Sequence, residues 1–225
     1  MNSEESALVL FSGGQDSTTC LFWAKKEFKE VRTVGFNYGQ RHNYEVEVAK
    51  TIAKIADVPF ELITIDILSK TIDNSLTNPS IAVEPKPENA LPNTFVPGRN
   101  LILLTYASIL ARNYGIKHIV TGISQTDFSG YPDCREKFVK SAQKTINLAL
   151  ETDIEIHTPL MFKSKEVIWQ LSDELGVFEL IRNNTLTCYN GIMASGCSKC
   201  PACLLRNAGL EKYLKKRDKL LKKQG

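Results

Sequence analysis

The sequence predicts an α/β fold, a doubly wound and mainly parallel sheet followed by a small C-terminal helical metal-binding region. Three features of the chain predict it. Short apolar runs alternate with segments whose apolar side chains recur near every 3.6 positions, which is strand alternating with helix. The runs are unbroken rather than alternately polar, as in strands covered on both faces. Four of the six cysteines fall between positions 188 and 203, just before a basic terminus.

In order, Ala7 to Phe11 predicts the first strand and Ser17 to Phe28 a helix. Val31 to Asn37 predicts the second strand, Glu45 to Ala56 a helix, and Phe60 to Ile65 the third strand. Beyond a proline-rich stretch, Thr77 to Gly98, helix Leu101 to Tyr114 leads to strand His118 to Gly122. A second irregular stretch, Ser124 to Cys134, precedes helix Glu136 to Leu150, strand Glu155 to His157 and helix Lys165 to Leu175. Connections of that length in a compact domain are usually binding loops, lids or disordered segments. The repetition places residues 1–182 in one α/β domain, and 183–225 in a metal-binding segment with helices packed on that same domain. Ligands of such sheets sit at the carboxyl ends of the strands.

With 43% hydrophobic and 24% charged residues, the composition is that of an ordinary globular domain. No run approaches the roughly 18 apolar residues of a membrane span, and the start MNSEESALVLF has no basic leader or small-residue cleavage site. The expectation is a cytoplasmic protein with no membrane partner. The formal charge of +3 is concentrated at one end: the last fifteen residues hold seven basic and two acidic side chains, leaving −2 on the rest. A solvated helix face accounts for the tail, and the body is not that of a nucleic-acid binder.

The stretch SGGQDS, residues 12–17, follows the first predicted strand and opens the first helix. Adjacent glycines let the backbone turn its N–H groups closely onto an anion, and the helix start adds its positive end. Ser12 and Ser17 offer hydroxyl donors to phosphate oxygens. Asp16 would repel a bare phosphate, so here it either ligates Mg²⁺ or caps the helix. The same residues also make an ordinary tight turn. The pattern GxxxxGK[ST] is absent, so the lysine that a P-loop uses on terminal phosphates is missing and kinase-type phosphoryl transfer is disfavoured.

Cys188, Cys197, Cys200 and Cys203 are spaced C-x8-C-x2-C-x2-C. That spacing puts four thiolates within reach of one ion, the shell that structural zinc prefers. A three-cysteine run of this kind also occurs in iron–sulfur proteins, and spacing alone leaves both metals open. Gly191 and Gly196 let the loop bend back, and Pro201 stiffens the turn. A closed four-cysteine shell has no position for water, so its metal would fold the segment and do no chemistry. Cys20 and Cys134 lie outside the cluster and read as packing residues.

SGGQDS resembles the PP-loop of the ATP pyrophosphatases, SGGxDS. YGQRHNYE at 38–45, FVPGRNLIL at 95–103, GISQTDFSGYPDCREKF at 122–138 and TPLMFKSKE at 158–166 join it and the cysteine cluster. Together they are similar, over nearly the whole chain, to one family of that superfamily, the 7-cyano-7-deazaguanine synthases. The resemblance implies the adenine nucleotide α-hydrolase-like form of the fold and a place in queuosine precursor biosynthesis. It implies a ligase that uses ATP to adenylate the carboxylate of 7-carboxy-7-deazaguanine. Ammonia then displaces AMP to give the amide, and a second ATP activates the amide so that elimination leaves a nitrile. ATP contacts are implied along Phe11, Ser12, Gly13, Gly14, Gln15, Asp16, Ser17, Thr18, Thr19, Cys20 and Leu21, with Asp16 reaching Mg²⁺. A structural Zn²⁺ on the four cysteines and a homodimer are implied as well.

Attack at the α-phosphorus calls for cations, and Lys163, Lys165, Arg41 and Arg99 are the candidates. Lys165 and Arg99 are the first choices, with Asp16 the third catalytic residue. Asp127, Phe128, Tyr131, Asp133 and Arg135 fall within nine residues after a predicted strand. They combine carboxylates for the N–H edge of a guanine-like ring, aromatic rings for its faces and a cation for its carboxylate. A turn-rich connector is the other reading of that loop. His42 sits either beside the nucleotide or at a helix start, while His118 and His157, on predicted strands, read as structural. Two further functions fit parts of the chain. A tRNA thiolation or lysine-attachment enzyme of the PP-loop type would call for an iron–sulfur cluster or a tRNA-binding extension. A zinc-ribbon module on RNA leaves the PP-loop and GYPDCR without a purpose.

Overall fold

The computed structural model describes residues 3–39, 44–65, 68, 70, 72, 74–78, 80–84, 91–126 and 131–224. The chain runs β1 (Ser3–Leu10), α1 (Gln15–Glu27), β2 (Phe28–Asn37), α2 (Tyr44–Ile55), β3 (Phe60–Thr64), α3 (Arg99–Asn113), β4 (His118–Val120), α4 (Glu136–Leu150), β5 (Glu155–His157), α5 (Lys165–Glu174), α6 (Phe178–Asn184) and α7 (Pro201–Gln224). A 3₁₀ turn, Pro132–Cys134, precedes α4.

All strand pairs are parallel, in the order β3-β2-β1-β4-β5. The central β1 explains the unbroken run ALVL, because successive strand side chains point to opposite faces and both faces here are covered. Ala7 and Val9 pack with Leu21 of α1, Ile52 of α2 and Ile168 of α5. Leu8 packs the other way, with Leu104 of α3 and Val139 and Ile146 of α4. Each such large side chain, taken out of water, contributes about 1.5–3 kcal/mol. The result is a three-layer sandwich in which β1 feeds a helix on one face and the neighbouring β4 feeds a helix on the other. Between their carboxyl ends the chain parts in two directions, which opens a crevice.

The C-terminal helices close one side of this body. α7 lies along α5, where a Cβ on Gly209 would stand 2.5 Å from Cβ of Lys165. Trp169, Phe178 and Tyr213 fill the seam between α5, α6 and α7. Arg206 of α7 is 1% exposed. Its guanidinium donates to Ile181 O (2.9 Å), Arg182 O (3.0 Å), Thr185 Oγ1 (2.8 Å) and Thr187 Oγ1 (3.1 Å). Those carbonyls are the open end of α6, so the cation meets the negative end of a helix. Burial lowers the pKa of Arg206 to about 10, still above any working pH.

Several boundaries differ from the sequence-based expectation for physical reasons. β1 begins at Ser3 because its polar start still pairs with β2, Ser3 opposite Phe28. β4 stops at Val120, and Thr121 and Gly122 turn toward the crevice. The sequence reading has no helix at Phe178–Asn184, whose seven residues carry barely two turns of periodicity. α7 starts at Pro201, inside the cysteine motif, where proline suits a first helical position that has no N–H to satisfy. Among the described residues no helix is long and apolar enough to cross a membrane.

Candidate active site

Past Leu10 the chain turns through Ser12, Gly13 and Gly14 into α1. Gly13 has φ 75°, and a Cβ on it would meet the backbone N of Ala49 at 2.8 Å, so only glycine lets the turn rest on α2. Ser17 closes the turn: its hydroxyl donates to Gly14 O (3.2 Å), accepts from Ser12 N (3.3 Å) and lies 3.1 Å from Ser12 Oγ. The turn is tied to the segment before the cysteines, with Leu186 N donating to Gly13 O (3.1 Å) and Gln15 N to Thr187 Oγ1 (3.2 Å).

Lys165, the first residue of α5, donates from Nζ to Asp16 Oδ2 at 2.5 Å. The other carboxylate oxygen, Asp16 Oδ1, is buried with no partner among the described residues, as are both amide atoms of Gln15 and the Thr18 hydroxyl. A buried acceptor left unsatisfied costs about 1–3 kcal/mol. An orphaned carboxylate oxygen beside a turn built for an anion fits a Mg²⁺ ligand. Further into α1 the side chains belong to the core. Thr19 donates to Gln15 O (2.9 Å) and meets Ser172 Oγ (3.0 Å), and Cys20 and Leu21 are fully buried. Burial, then Asp16, pushes the Cys20 thiol well up.

A cavity of about 740 Å³ opens at the carboxyl ends of β1, β2 and β4. Phe11, Ser12, Gly14, Gln15, Asp16, Ser17 and Lys165 line it, together with Tyr38, Glu45, Arg99, Asn100, Tyr131, Cys134 and Tyr189. Its size suits a ligand larger than a single base. Arg99, at the start of α3, has Tyr38, Tyr189, Tyr131 and Cys134 around it. Tyr131 stacks on Phe95, ring centres 5.6 Å apart, shares a 2.5 Å hydrogen bond with Thr94 and lies beside Tyr189. Burial raises the pKa of Tyr38 and Tyr189, so both stay phenols at neutral pH. Burial also pushes Glu45 up to about 7, with Arg99 pulling the other way. A carboxyl that titrates near neutrality in a cavity suits proton transfer.

Asp133 is buried in the 3₁₀ turn, its Oδ2 accepting from Asn100 N (3.1 Å) and its carbonyl from Asn100 Nδ2 (2.9 Å). The carboxylate sits at the start of α3, where a helix favours an anion, and holds the turn that carries Arg99. Arg135 is exposed and is not among the residues lining the cavity. Asp127, Phe128, Arg41 and His42 lie outside the described residues. Asp16, Lys165, Arg99 and Tyr131 therefore share one cavity. Tyr38, Glu45 and Tyr189 line it as well, and the sequence reading gave them no role. Tyr38 and Glu45 are the two ends of YGQRHNYE, a polar run at the carboxyl end of a strand, which is the signal that could have found them.

The sulfurs of Cys188, Cys197, Cys200 and Cys203 all lie within 4.8 Å of one another. Four sulfurs about 2.3 Å from one ion stand about 3.8 Å apart in a tetrahedron. Cys197 to Cys203 is 4.0 Å and Cys200 to Cys203 is 3.4 Å. Gly196, at φ 68°, leaves room for the Cys203 sulfur where a side chain would collide with it. Burial works to raise Cys197, but the N–H groups of Cys200 and Lys199 and the Asn190 amide bring it down to about 6. Thiolate is the ligating form, so the four residues fit a tetrahedral metal ion.

Comparison with known proteins gives a consistent picture. The model of the family described as queuosine biosynthesis protein QueC matches residues 6–214. A 7-cyano-7-deazaguanine synthase of Parabacteroides distasonis is 60% identical over 220 residues, covering 97% of this chain and 98% of that one. The protein of the same name from Bacillus subtilis is 57% identical over 211 residues, 94% and 96% of the two chains. Among solved structures, a 4-thiouridine synthetase in an RNA complex with bound ATP has a TM-score of 0.54 at 17% identity. It covers 94% of this chain and 50% of that one, a likeness of fold alone.

Proposed function

Because the chain belongs to the family of the queuosine biosynthesis protein QueC, we propose that it is an ATP-dependent nitrile-forming ligase. It converts 7-carboxy-7-deazaguanine and ammonia to 7-cyano-7-deazaguanine, a queuosine precursor. The observation that supports this most directly is the shared cavity, in which the Asp16–Lys165 pair and the Arg99–Tyr131 group both lie.

Ser12, Gly13, Gly14 and Ser17 receive the β- and γ-phosphates through N–H and hydroxyl donors, with the start of α1 behind them. Asp16 would hold Mg²⁺ through the oxygen that Lys165 does not engage, and the ion when bound would supply positive charge for the pyrophosphate. Lys165 stabilises the charge that spreads over the α-phosphoryl group as the substrate carboxylate attacks. Arg99 binds that carboxylate, and Tyr131, backed by Phe95, offers the deazaguanine a flat face. Glu45 receives the ammonium ion and takes one of its protons. The ammonia so formed attacks the acyl carbon, AMP leaves with the C–O electron pair, and the extra proton on nitrogen passes to solvent, as does the proton held by Glu45. In the second round the amide oxygen attacks a second α-phosphorus. The O-adenylated amide loses its first N–H proton to solvent, and loss of the second to Glu45, with departure of AMP, leaves the carbon–nitrogen triple bond.

A structural Zn²⁺ on the four cysteines keeps Tyr189 and residues 186–188 against the PP-loop. Free ammonia is the nitrogen donor, and the working form is a cytoplasmic homodimer with no nucleic-acid partner. The test is mass spectrometry of a reaction containing the protein, Mg-ATP, an ammonium salt and 7-carboxy-7-deazaguanine. Nitrile, AMP and pyrophosphate together are the expected result. AMP without nitrile would keep the PP-loop chemistry and change the substrate. Neither product from folded, metal-loaded protein would overturn the proposal.

A further inference from the structure

His118, His157 and Glu155 form a second cluster of metal-ligating side chains, on strands β4 and β5. None of the three lines the active-site cavity. We propose that they bind a divalent transition-metal ion of the zinc class, with Glu5 orienting His118.

The geometry is close to that of a bound site. His118 Nδ1 and His157 Nε2 are 3.0 Å apart, and a carboxylate oxygen of Glu155 lies 3.8 Å from His118 Nδ1. Donors about 2.0–2.1 Å from one zinc ion stand about 3.3 Å apart, and the three ligand atoms here all lie within 4.8 Å of one another, close enough to converge on one ion. Parallel pairing fixes this arrangement, since His118 lies opposite Glu155 and Val120 opposite His157. Aromatic packing holds the rings: Phe28 lies 5.0 Å from His118 and 5.5 Å from His157, and Trp23 lies 6.0 Å from His157.

The tautomers suit the ion as well. Glu5 Oε2 is 2.9 Å from His118 Nε2. With that nitrogen donating to the carboxylate, Nδ1 carries the lone pair, the usual carboxylate–histidine–metal arrangement. His157 Nε2 then donates to Nδ1 in the metal-free protein. On binding, its proton moves to His157 Nδ1, beside Glu155 at 3.8 Å, and Nε2 becomes the second imidazole ligand with no net loss of protons. The Glu155 side chain is 61% exposed, which leaves the ion open to water on one side. An ion here would staple the edge strand β5 to β4.

The probe is zinc itself, measured as bound metal per chain after equilibrium dialysis of the intact protein at micromolar free zinc. Wild type is expected to hold about two ions, one on the cysteines and one here, and Glu155→Gln and His157→Gln about one. Cobalt titrated into protein carrying one equivalent of zinc, which the four cysteines take, gives a second readout: visible bands without thiolate charge transfer in wild type, and none in either variant. Glu155→Gln changes an exposed side chain, so its folding is not at issue if His157→Gln proves unstable. One ion in wild type, two in folded Glu155→Gln, or cobalt bands that survive in it would each overturn the proposal.

Discussion

Lys165 reaches Asp16 at 2.5 Å from the first turn of α5, with 6% of its side chain exposed against 24% for Asp16. Breaking a fully buried pair of this kind costs about 3–5 kcal/mol, and the partial exposure of Asp16 moves the cost to or below the lower end. Lys165→Met keeps the aliphatic stem against Gly209 and removes the charge. It is expected to fold and to lose about 10²–10³ in kcat for AMP formation, since one donor to the developing phosphoryl charge is gone. Steady-state AMP release checks this, and a loss smaller than about tenfold would remove Lys165 from the chemistry. Glu45 gives a prediction of a different kind. Its pKa rises from 4.5 unfolded to about 7 folded, so between those values the folded state binds more protons and stability falls as pH rises. Glu45→Gln cannot ionise and should gain on wild type between pH 5 and 8, by up to roughly 3 kcal/mol in urea unfolding. Activity should move oppositely, the variant losing the rise through neutral pH that a general base confers. Asp16 and Lys165 are legible in the sequence because motif and spacing name them. Glu45 is not, because its role rests on burial beside Arg99, and burial belongs to the folded chain.

α6 and α7 depend on a side chain that no motif marks. Arg206 joins the end of α6, Thr185, Thr187 and the ring of Trp169, which lies 5.3 Å beneath the guanidinium and donates to Arg206 O. Arg206→Met fills much of the same space and leaves the Ile181 and Arg182 carbonyls without this donor. At about 1–3 kcal/mol for each buried group left unsatisfied, a loss of roughly 2–4 kcal/mol is expected. Urea unfolding measures it, and because Trp169 packs directly on Arg206, its emission should shift to the red in the native variant. An unchanged midpoint and spectrum would mean that α6 does not rely on this cap. The helices and strands of the sheet were legible through apolar periodicity, which is strong over the twelve residues of α2 and the fifteen of α4. α6 is too short to show a period. The start of α7 was obscured because Cys200 and Cys203 read as metal ligands, although Pro201 between them is the sequence signal of a helix start.

At the scale of the whole molecule, the cysteine segment is part of the active-site wall. Leu186 and Thr187 bond the PP-loop backbone, Tyr189 lies beside Tyr131, and Cys188, Cys200 and Cys203 sit in the same hydrophobic cluster as β1 and α1. These contacts join residues more than 150 positions apart, and a linear reading could place the segment on the domain without saying which face it covers. The energetics follow from its composition. Ordering a loop costs about 1–2 kcal/mol per residue, and the stretch from Cys188 to Cys203 has little apolar surface with which to offset that. A structural metal in a four-cysteine site supplies about 10–16 kcal/mol, as much as the net stability of an entire domain. Removing it should therefore release α6, α7 and the cavity wall as one unit, while the sheet retains its pairing. Cys200→Ser, or wild type stripped by a chelator, is expected to lose bound zinc, solubility and ATP binding together. In hydrogen exchange, protection should disappear from residues 178–224 and from the PP-loop that they brace, but not from β1 and β2. A metal-free protein that stayed soluble, bound ATP and kept that protection would show that packing alone holds the segment in place.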